Sequence, residues 1–257
     1  MAEGKRTVEV SVKDGVRTLV LDRPPVNVMD LAMIEELGTA IEEAGKDPAT
    51  RVVVFRSRGK AFSAGVEVGD HTPEKAPAMI MAFTHMFQAM LDAAVPTVAV
   101  VEGAALGGGA ELALFCDLIL MGPKGSFGVP EITLGFFPPI AAAALPRRIP
   151  RAVAMELMLT GDRIDAQRAH AVGLANAVLP AEGTEEAIQA FVGRVARGSG
   201  AVLRLAVRSV DQTDGMPLPL ALNHAGAIFL AELMRTQDVR EGLASFFEKR
   251  KPAWKDR

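Results

Sequence analysis

Two runs near the start of the chain alternate apolar and polar positions in strand fashion. Residues 7–12 and 16–21 flank the turn Lys13-Asp14-Gly15, and together they predict a β-hairpin. The period then changes. Leu31, Ile34, Leu37, Ile41 and Ala44 recur at helical spacing over residues 31–44, with Asp30 placed to cap the first turn. Residues 51–56 are a short β-branched run bounded by polar residues. Residues 79–91 form an amphipathic helix rich in Met and Phe, and residues 97–101 are strand-like again. A glycine-rich turn leads into an apolar helix over 108–115, followed by a strand over 118–121. From about Ala187 the pattern is wholly helical. Gly38, Gly45, Pro48, Gly59, Pro73, Pro77 and Pro96 mostly punctuate the boundaries. The succession of strand, strand, helix predicts an α/β fold, although the units share no obvious sequence repeat.

The chain has 257 residues, 49% hydrophobic and 23% charged, enough apolar material for one large domain with a helical appendage. With 28 Lys and Arg against 31 Asp and Glu, the net charge is −3. No broad basic field is available for nucleic acid or an anionic membrane. The single cysteine, Cys116, excludes an intramolecular disulfide framework and a Cys-based zinc cluster, and it fits a reducing, cytoplasmic setting. The polar opening Met1-Ala-Glu-Gly-Lys-Arg-Thr7 leads into no apolar segment of a secretory signal. The longest mainly apolar run, 104–120, carries three glycines, Glu111 and Asp117, which argues against a membrane span.

Two glycine-bearing stretches follow predicted strands. In Lys60-Ala-Phe-Ser-Ala-Gly-Val66, Gly65 reads either as a simple turn or as the device that points the Val66 N–H into a cleft. In Gly103-Ala-Ala-Leu-Gly-Gly-Gly-Ala-Glu111, three consecutive glycines at a helix start cost helix stability. Their physical use is close backbone approach and free N–H groups directed at negative charge. The signatures GxxxxGK[ST] and GxGxxG are both missing, so a phosphate loop is disfavoured. Paired amides of Val66 and Gly108 would instead make a two-donor oxyanion hole. Glu111 lies one turn inside an apolar helix, where it either caps or pairs structurally or titrates in a site. Glu131 is a second isolated carboxylate in the uncharged stretch 126–135, and two such groups suit acid/base work on one substrate.

These residues, taken in order, resemble the crotonase, or enoyl-CoA hydratase/isomerase, superfamily. The match runs from Arg23-Pro24 and Asn27 through Phe62-Ser-Ala-Gly-Val66, Gly107-Gly-Gly-Ala-Glu111 and Phe127-Gly-Val-Pro-Glu131. It continues to Thr160-Gly161, Ala166, Ala169 and Gly173-Leu174, and ends with Phe246-Phe-Glu-Lys-Arg-Lys-Pro252. The resemblance implies a spiral of ββα units over residues 1–198 and a carboxy-terminal helical region over 199–257 that builds a homotrimer or homohexamer. It places the oxyanion donors at Val66 and Gly108 and the catalytic carboxylates at Glu111 and Glu131. Ala64, Gly65, Gly107, Phe136, Phe137 and Pro138 would then contact the substrate. The implied activity is addition of water to an α,β-unsaturated acyl-CoA thioester, with coenzyme A present only as part of the substrate and with no metal. An isomerase of the same fold and a non-catalytic trimeric scaffold are the rival readings.

Two departures from the family pattern stand out. Val66-Glu67-Val68-Gly69 lacks the lysine often associated with the CoA phosphates, and Gly135-Phe-Phe-Pro-Pro-Ile-Ala-Ala-Ala-Ala144 replaces a glycine-rich loop with bulk. Pro130-Glu-Ile-Thr-Leu-Gly-Phe-Phe-Pro138, with Glu67 to Pro73 and Asn27-Val-Met-Asp30, is similar to cyclohexa-1,5-diene-1-carbonyl-CoA hydratases, and Phe136 to Pro139 suggest an aromatic and proline wall suited to a flat ring. Among the remaining residues, His71 reads as a loop residue, while His85, His170 and His224 stand at no ligand spacing. Asp92, Asp117 and Asp162 should cap or pair, and Cys116 should pack. The stripe Met79, Met81, Phe83, Met86, Phe87 and Met90 reads as core or subunit interface. The segment Lys249-Arg-Lys-Pro-Ala-Trp-Lys255 gathers four cations beside one indole, either as a solvated tail or as a group reaching CoA phosphates across a subunit boundary.

Overall fold

The computed structural model describes residues 6–257; the opening residues 1–5 of the polar amino terminus discussed above lie outside the described residues. The hairpin forms from β1 (Val8–Lys13) and β2 (Val16–Leu21), antiparallel and in register from Val8 opposite Leu21 to Lys13 opposite Val16. Asp14 (φ 51°) and Gly15 (φ 81°) both adopt the left-handed backbone that a two-residue hairpin turn demands. Helix α1 (Leu31–Lys46) starts at Asp30, whose side chain accepts from the Met33 N–H at 3.0 Å, and buries Ile34, Leu37 and Ile41.

From there the chain spirals. Strand β3 (Val52–Ser57) is followed by β4 (Ala61–Ser63) and α2 (Ala76–Ala93). Strand β5 (Thr97–Val101) is followed by β6 (Ala104–Leu106) and α3 (Gly108–Phe115), and β7 (Leu118–Met121) by β8 (Ser126–Gly128). Each turn adds one strand to each of two sheets. The larger sheet has the order β1-β2-β3-β5-β7-β10 and the smaller β4-β6-β8-β9, where β9 is Arg163–Asp165 and β10 is Ala177–Val178. All pairings are parallel except β1 with β2 and β8 with β9. Helices α4 (Pro139–Arg148), α5 (Arg151–Thr160), α6 (Ala166–Ala171) and α7 (Thr184–Ala196) complete the body. Helices α8 (Gly200–Thr213), α9 (Leu218–Ala231) and α10 (Gln237–Phe247) close the chain.

The central strands β3, β5 and β7 of the large sheet are apolar on both faces because both faces are covered, whereas the edge strand β1 is exposed at every residue after Val8. Val53, Phe55, Ala99, Val101, Ile119 and Met121 point into one apolar cluster with α1, α2 and α3. The alternate residues Val52, Val54, Val98, Val100 and Leu120 point into a second cluster with Ile188 and Val192 of α7. Strands β4, β6 and β8 went unread in the sequence because three residues define no period. The terminal segment is not a free solvated tail. Arg250 pairs with Glu241 and Glu248, the Trp254 Nε1–H donates to the Arg197 carbonyl at 2.8 Å, and Asp256 pairs with Arg51 at 2.8 Å. Asp117 accepts from the Thr97 N–H and hydroxyl, both at 2.7 Å, and Cys116 is buried. No helix among the described residues is long and apolar enough to cross a membrane.

Candidate active site

The three parallel strands of the small sheet end side by side, and the residues that follow each of them converge, as is usual at the carboxyl ends of parallel strands. Strand β4 delivers Ala64, Gly65 and Val66; β6 delivers Gly107 and Gly108; β8 delivers Val129, Pro130 and Glu131. These meet the start of α4 and the first half of α2 around a cavity of about 390 Å³. All ten residues expected at the site from the sequence line it: Ala64, Gly65, Val66, Gly107, Gly108, Glu111, Glu131, Phe136, Phe137 and Pro138. Met79 and Phe83 of the α2 stripe line it too, whereas Met86, Phe87 and Met90 are core and Met81 is exposed.

The Val66 amide is freed by its neighbours. Met29 forms an isolated parallel bridge opposite Val66, in which the Met29 N–H donates to Gly65 O (2.8 Å) and the Glu67 N–H donates to Met29 O (2.9 Å). That pattern turns Val66's own N–H away from Met29. The loop is fixed from behind by Asn27, fully buried, whose side-chain amide donates to the carbonyls of Arg58 (2.8 Å), Ala61 (3.0 Å) and Phe62 (3.2 Å). Its side-chain oxygen accepts from the Arg23 N–H, and its own carbonyl accepts from the Ser63 hydroxyl at 2.7 Å. Asn27 and Ser63 are therefore supports of the site that sequence reasoning did not assign; a buried asparagine beside Pro24-Pro25 offered no signal of which loop it would hold.

The Gly108 amide is the first of α3 and has no carbonyl one turn back to bind. The three glycines each answer a contact. Gly107 takes φ +52° and ψ −130°, a conformation reserved for glycine. A Cβ on Gly108 would lie 2.6 Å from the Val66 side chain, and one on Gly109 would lie 2.5–2.7 Å from Ser63 atoms. The two amides can face one space only because no side chain separates their backbones.

Glu111 is 3% exposed. One carboxylate oxygen, Oε1, accepts from the Ile140 and Ala141 N–H groups at the start of α4, both at 2.8 Å. Burial pushes its pKa up to about 7, opposed by the two backbone donors and reinforced by the nearby charge of Glu131. Arg148, at the other end of α4, donates to the carbonyls of Leu114, Cys116 and Asp117 at the end of α3, so the two helices are latched at both ends around this carboxyl. Glu131 sits in a short 3-10 turn, Pro130–Leu134. Its pKa is also raised, chiefly by burial, with its own backbone N–H and then the charge of His71 pulling the other way. Its Oε2 is buried and has no hydrogen-bond partner among the described residues.

Phe136 is 37% and Phe137 67% exposed, so neither fills the core behind the site; they form an open wall, with Pro138 buried beneath. His71, read from the sequence as a loop residue, lies in the cavity lining, its ring 5.2 Å from that of Phe136. Among the described residues no group of three or more His, Cys, Asp or Glu is placed to hold a metal ion. The arrangement offers two backbone donors for a developing oxyanion and two carboxyl groups to handle a proton and a water.

The sequence model of the family described as enoyl-CoA hydratase/isomerase matches residues 11–257. The chain is 36% identical to cyclohexa-1,5-dienecarbonyl-CoA hydratase from Thauera aromatica, covering 100% of both chains. It is 32% identical to 2,3-dehydroadipyl-CoA hydratase from Escherichia coli, covering 96% of this chain and 98% of that one. The fold is similar to the crystal structure of an enoyl-CoA hydratase from Geobacillus kaustophilus, with a TM-score of 0.92 at 30% identity, covering 99% of this chain and 98% of the other.

Proposed function

The chain belongs to the enoyl-CoA hydratase/isomerase family and is a hydro-lyase that adds water to enoyl-CoA thioesters; from that premise we propose that Val66, Gly108, Glu111 and Glu131 are the groups that carry the reaction. The observation that supports this assignment is the meeting of two backbone amides and two carboxyl groups on one largely apolar cavity. The thioester carbonyl oxygen lies between the Val66 and Gly108 amides, which bind it most strongly when it carries negative charge. The water oxygen bonds to the β-carbon, the π pair moves onto the carbonyl to give an enolate, and the proton lost by water goes to a carboxylate. The enolate then takes a proton at the α-carbon from a carboxyl group. A pair of carboxyls holding one proton between them is what this sequence of steps requires, and Glu111 with a pKa of about 7 beside Glu131 holds that proton near neutrality. Glu111→Gln and Glu131→Gln should each lower kcat by about 10² to 10⁴ with the fold intact; wild-type turnover in either would reject its assigned role.

The acyl group is a cyclic dienoyl, as in the Thauera aromatica relative named above. Phe136, Phe137 and Pro138 support this, because they line the same cavity as the oxyanion amides and flat aromatic and proline side chains suit a planar conjugated ring. The protein works as a homotrimer or homohexamer. Leu218, Leu222, Leu230, Leu243, Phe246 and Phe247 on α9 and α10 are all exposed, and large apolar side chains left in water on adjacent elements suit burial against a second copy. Light scattering at micromolar concentration should give a trimer or hexamer, and a clean monomer would contradict it.

A further inference from the structure

The cavity holds one polar side chain that the reaction scheme above leaves unused. Of its lining residues only His71, Glu111 and Glu131 carry polar side chains, and His71 alone among them can carry positive charge. Its geometry is constrained on two sides. Nδ1 lies 3.0 Å from the Glu67 carbonyl oxygen, which can only accept, so Nδ1 carries a hydrogen and that bond ties the ring to its own loop. The other constraint is the Phe136 ring, tilted at 41° with centroids 5.2 Å apart. Glu131, by contrast, has a buried Oε2 without a donor, an unfavourable state for an ionised carboxylate unless a cation compensates it.

Other charges near Glu131 do not supply that cation. Glu111, from α3, is of the same sign. Behind the Glu131 turn, α5 and β9 bring Arg151, Glu156, Arg163 and Asp165, all exposed and none in the cavity lining. On the loop of His71 itself, Glu67 accepts from the Gly69 N–H and Asp70 pairs with Lys75 at 3.4 Å. We infer that His71 is a positioning residue for the hydration reaction: protonated on Nε2, it is the counter-charge that keeps Glu131 a carboxylate once an acyl thioester has displaced water from the cavity. The direction of the electrostatic influence of His71 on Glu131, which favours the ionised carboxylate, agrees. The role of this charge rests on the reading of Glu131 as a reacting carboxyl, but its effect on the ionisation of Glu131 does not.

The test is a titration of the Glu131 side-chain carboxyl by NMR in protein labelled with ¹³C-glutamate, its signal assigned by loss in Glu131→Gln. In His71→Gln the midpoint should rise by about half a pH unit or more, and His71→Lys, which restores a cation, should return it toward the wild-type value. In parallel, His71→Gln should lower kcat about tenfold while KM stays within about twofold, the pattern of a group acting on the chemical step. An unchanged Glu131 midpoint in folded His71→Gln overturns the inference. Full activity in Glu131→Gln with a shifted midpoint in His71→Gln would instead reject the catalytic reading of Glu131 and leave the electrostatic coupling standing.

Discussion

Replacing Glu111 by glutamine should make the protein more stable above neutral pH while nearly abolishing its activity. The carboxyl is 3% exposed and its pKa stands at about 7 against an ordinary 4.5. A raised value means that the folded state holds the proton more tightly than the unfolded chain, so stability falls as pH rises from 4.5 through 7 and the loss is complete above it. At about 1.4 kcal/mol per pH unit, ionising this carboxyl in the folded state costs about 3 kcal/mol at pH 8.5 and roughly 1 kcal/mol at pH 5.5. Glutamine keeps the volume and an oxygen to accept from the Ile140 and Ala141 N–H groups, but has no charge to desolvate. Thermal unfolding at one fixed protomer concentration should therefore place Glu111→Gln above wild type on the order of 6–12 °C at pH 8.5, with the gap shrinking toward pH 5.5. A variant equal to or below wild type at pH 8.5 would refute the reasoning, since the buried carboxylate would then not be the liability its surroundings imply.

Gly108→Ala should fold and lose about 10² to 10³ in kcat/KM, because its Cβ would lie 2.6 Å from the Val66 side chain and 3.1 Å from Phe83 and would force the two amides apart; steady-state kinetics would read it, and a loss under threefold would separate these amides from the chemistry. Asn27→Ala leaves three carbonyls without their donor and should cost about 2–4 kcal/mol of stability in denaturant unfolding, with kcat falling as the Val66 loop loosens; unchanged stability would remove Asn27 as the loop's anchor. The ratio of kcat/KM for cyclohexa-1,5-diene-1-carbonyl-CoA over crotonyl-CoA should exceed about tenfold, equivalent to about 1.4 kcal/mol, and should collapse in Phe136→Ala; better turnover of the straight chain would remove the cyclic assignment.

The chemistry of the site was more legible in the sequence than its construction. Gly107-Gly-Gly-Ala-Glu111 declared itself because three glycines at a helix start are costly unless backbone must come close, and the contacts of Gly108 with Val66 and Gly109 with Ser63 supply that reason. The strands that carry the site, β4, β6 and β8, are three residues each and leave no periodic trace. The two α4 amides that hold Glu111 lie 29 and 30 residues away from it, and Asn27 reaches carbonyls 31 to 35 residues on; such partners are set by the spiral rather than by any local pattern. His71 is the loop residue its sequence suggests, but its place in the cavity lining was not legible for the same reason, since its loop meets the Phe136 wall only in three dimensions. Of the terminal cations, Lys249, Lys251 and Lys255 are exposed as a solvated segment would have them, while the pairing of Arg250 with Glu241 on α10 was not legible because the fold back along that helix is not encoded in the charge run.

The central claim is that water is added across the double bond of an acyl-CoA thioester in this cavity. Incubating the protein with crotonyl-CoA and with cyclohexa-1,5-diene-1-carbonyl-CoA in heavy-oxygen water, with mass spectrometry of the products, tests it most directly. A hydroxyacyl-CoA carrying one labelled oxygen, formed by wild type and about 10² to 10⁴ times more slowly by Glu111→Gln or Glu131→Gln, is the predicted result. An unlabelled product of unchanged mass with a shifted double bond, or no product from either thioester, would contradict it.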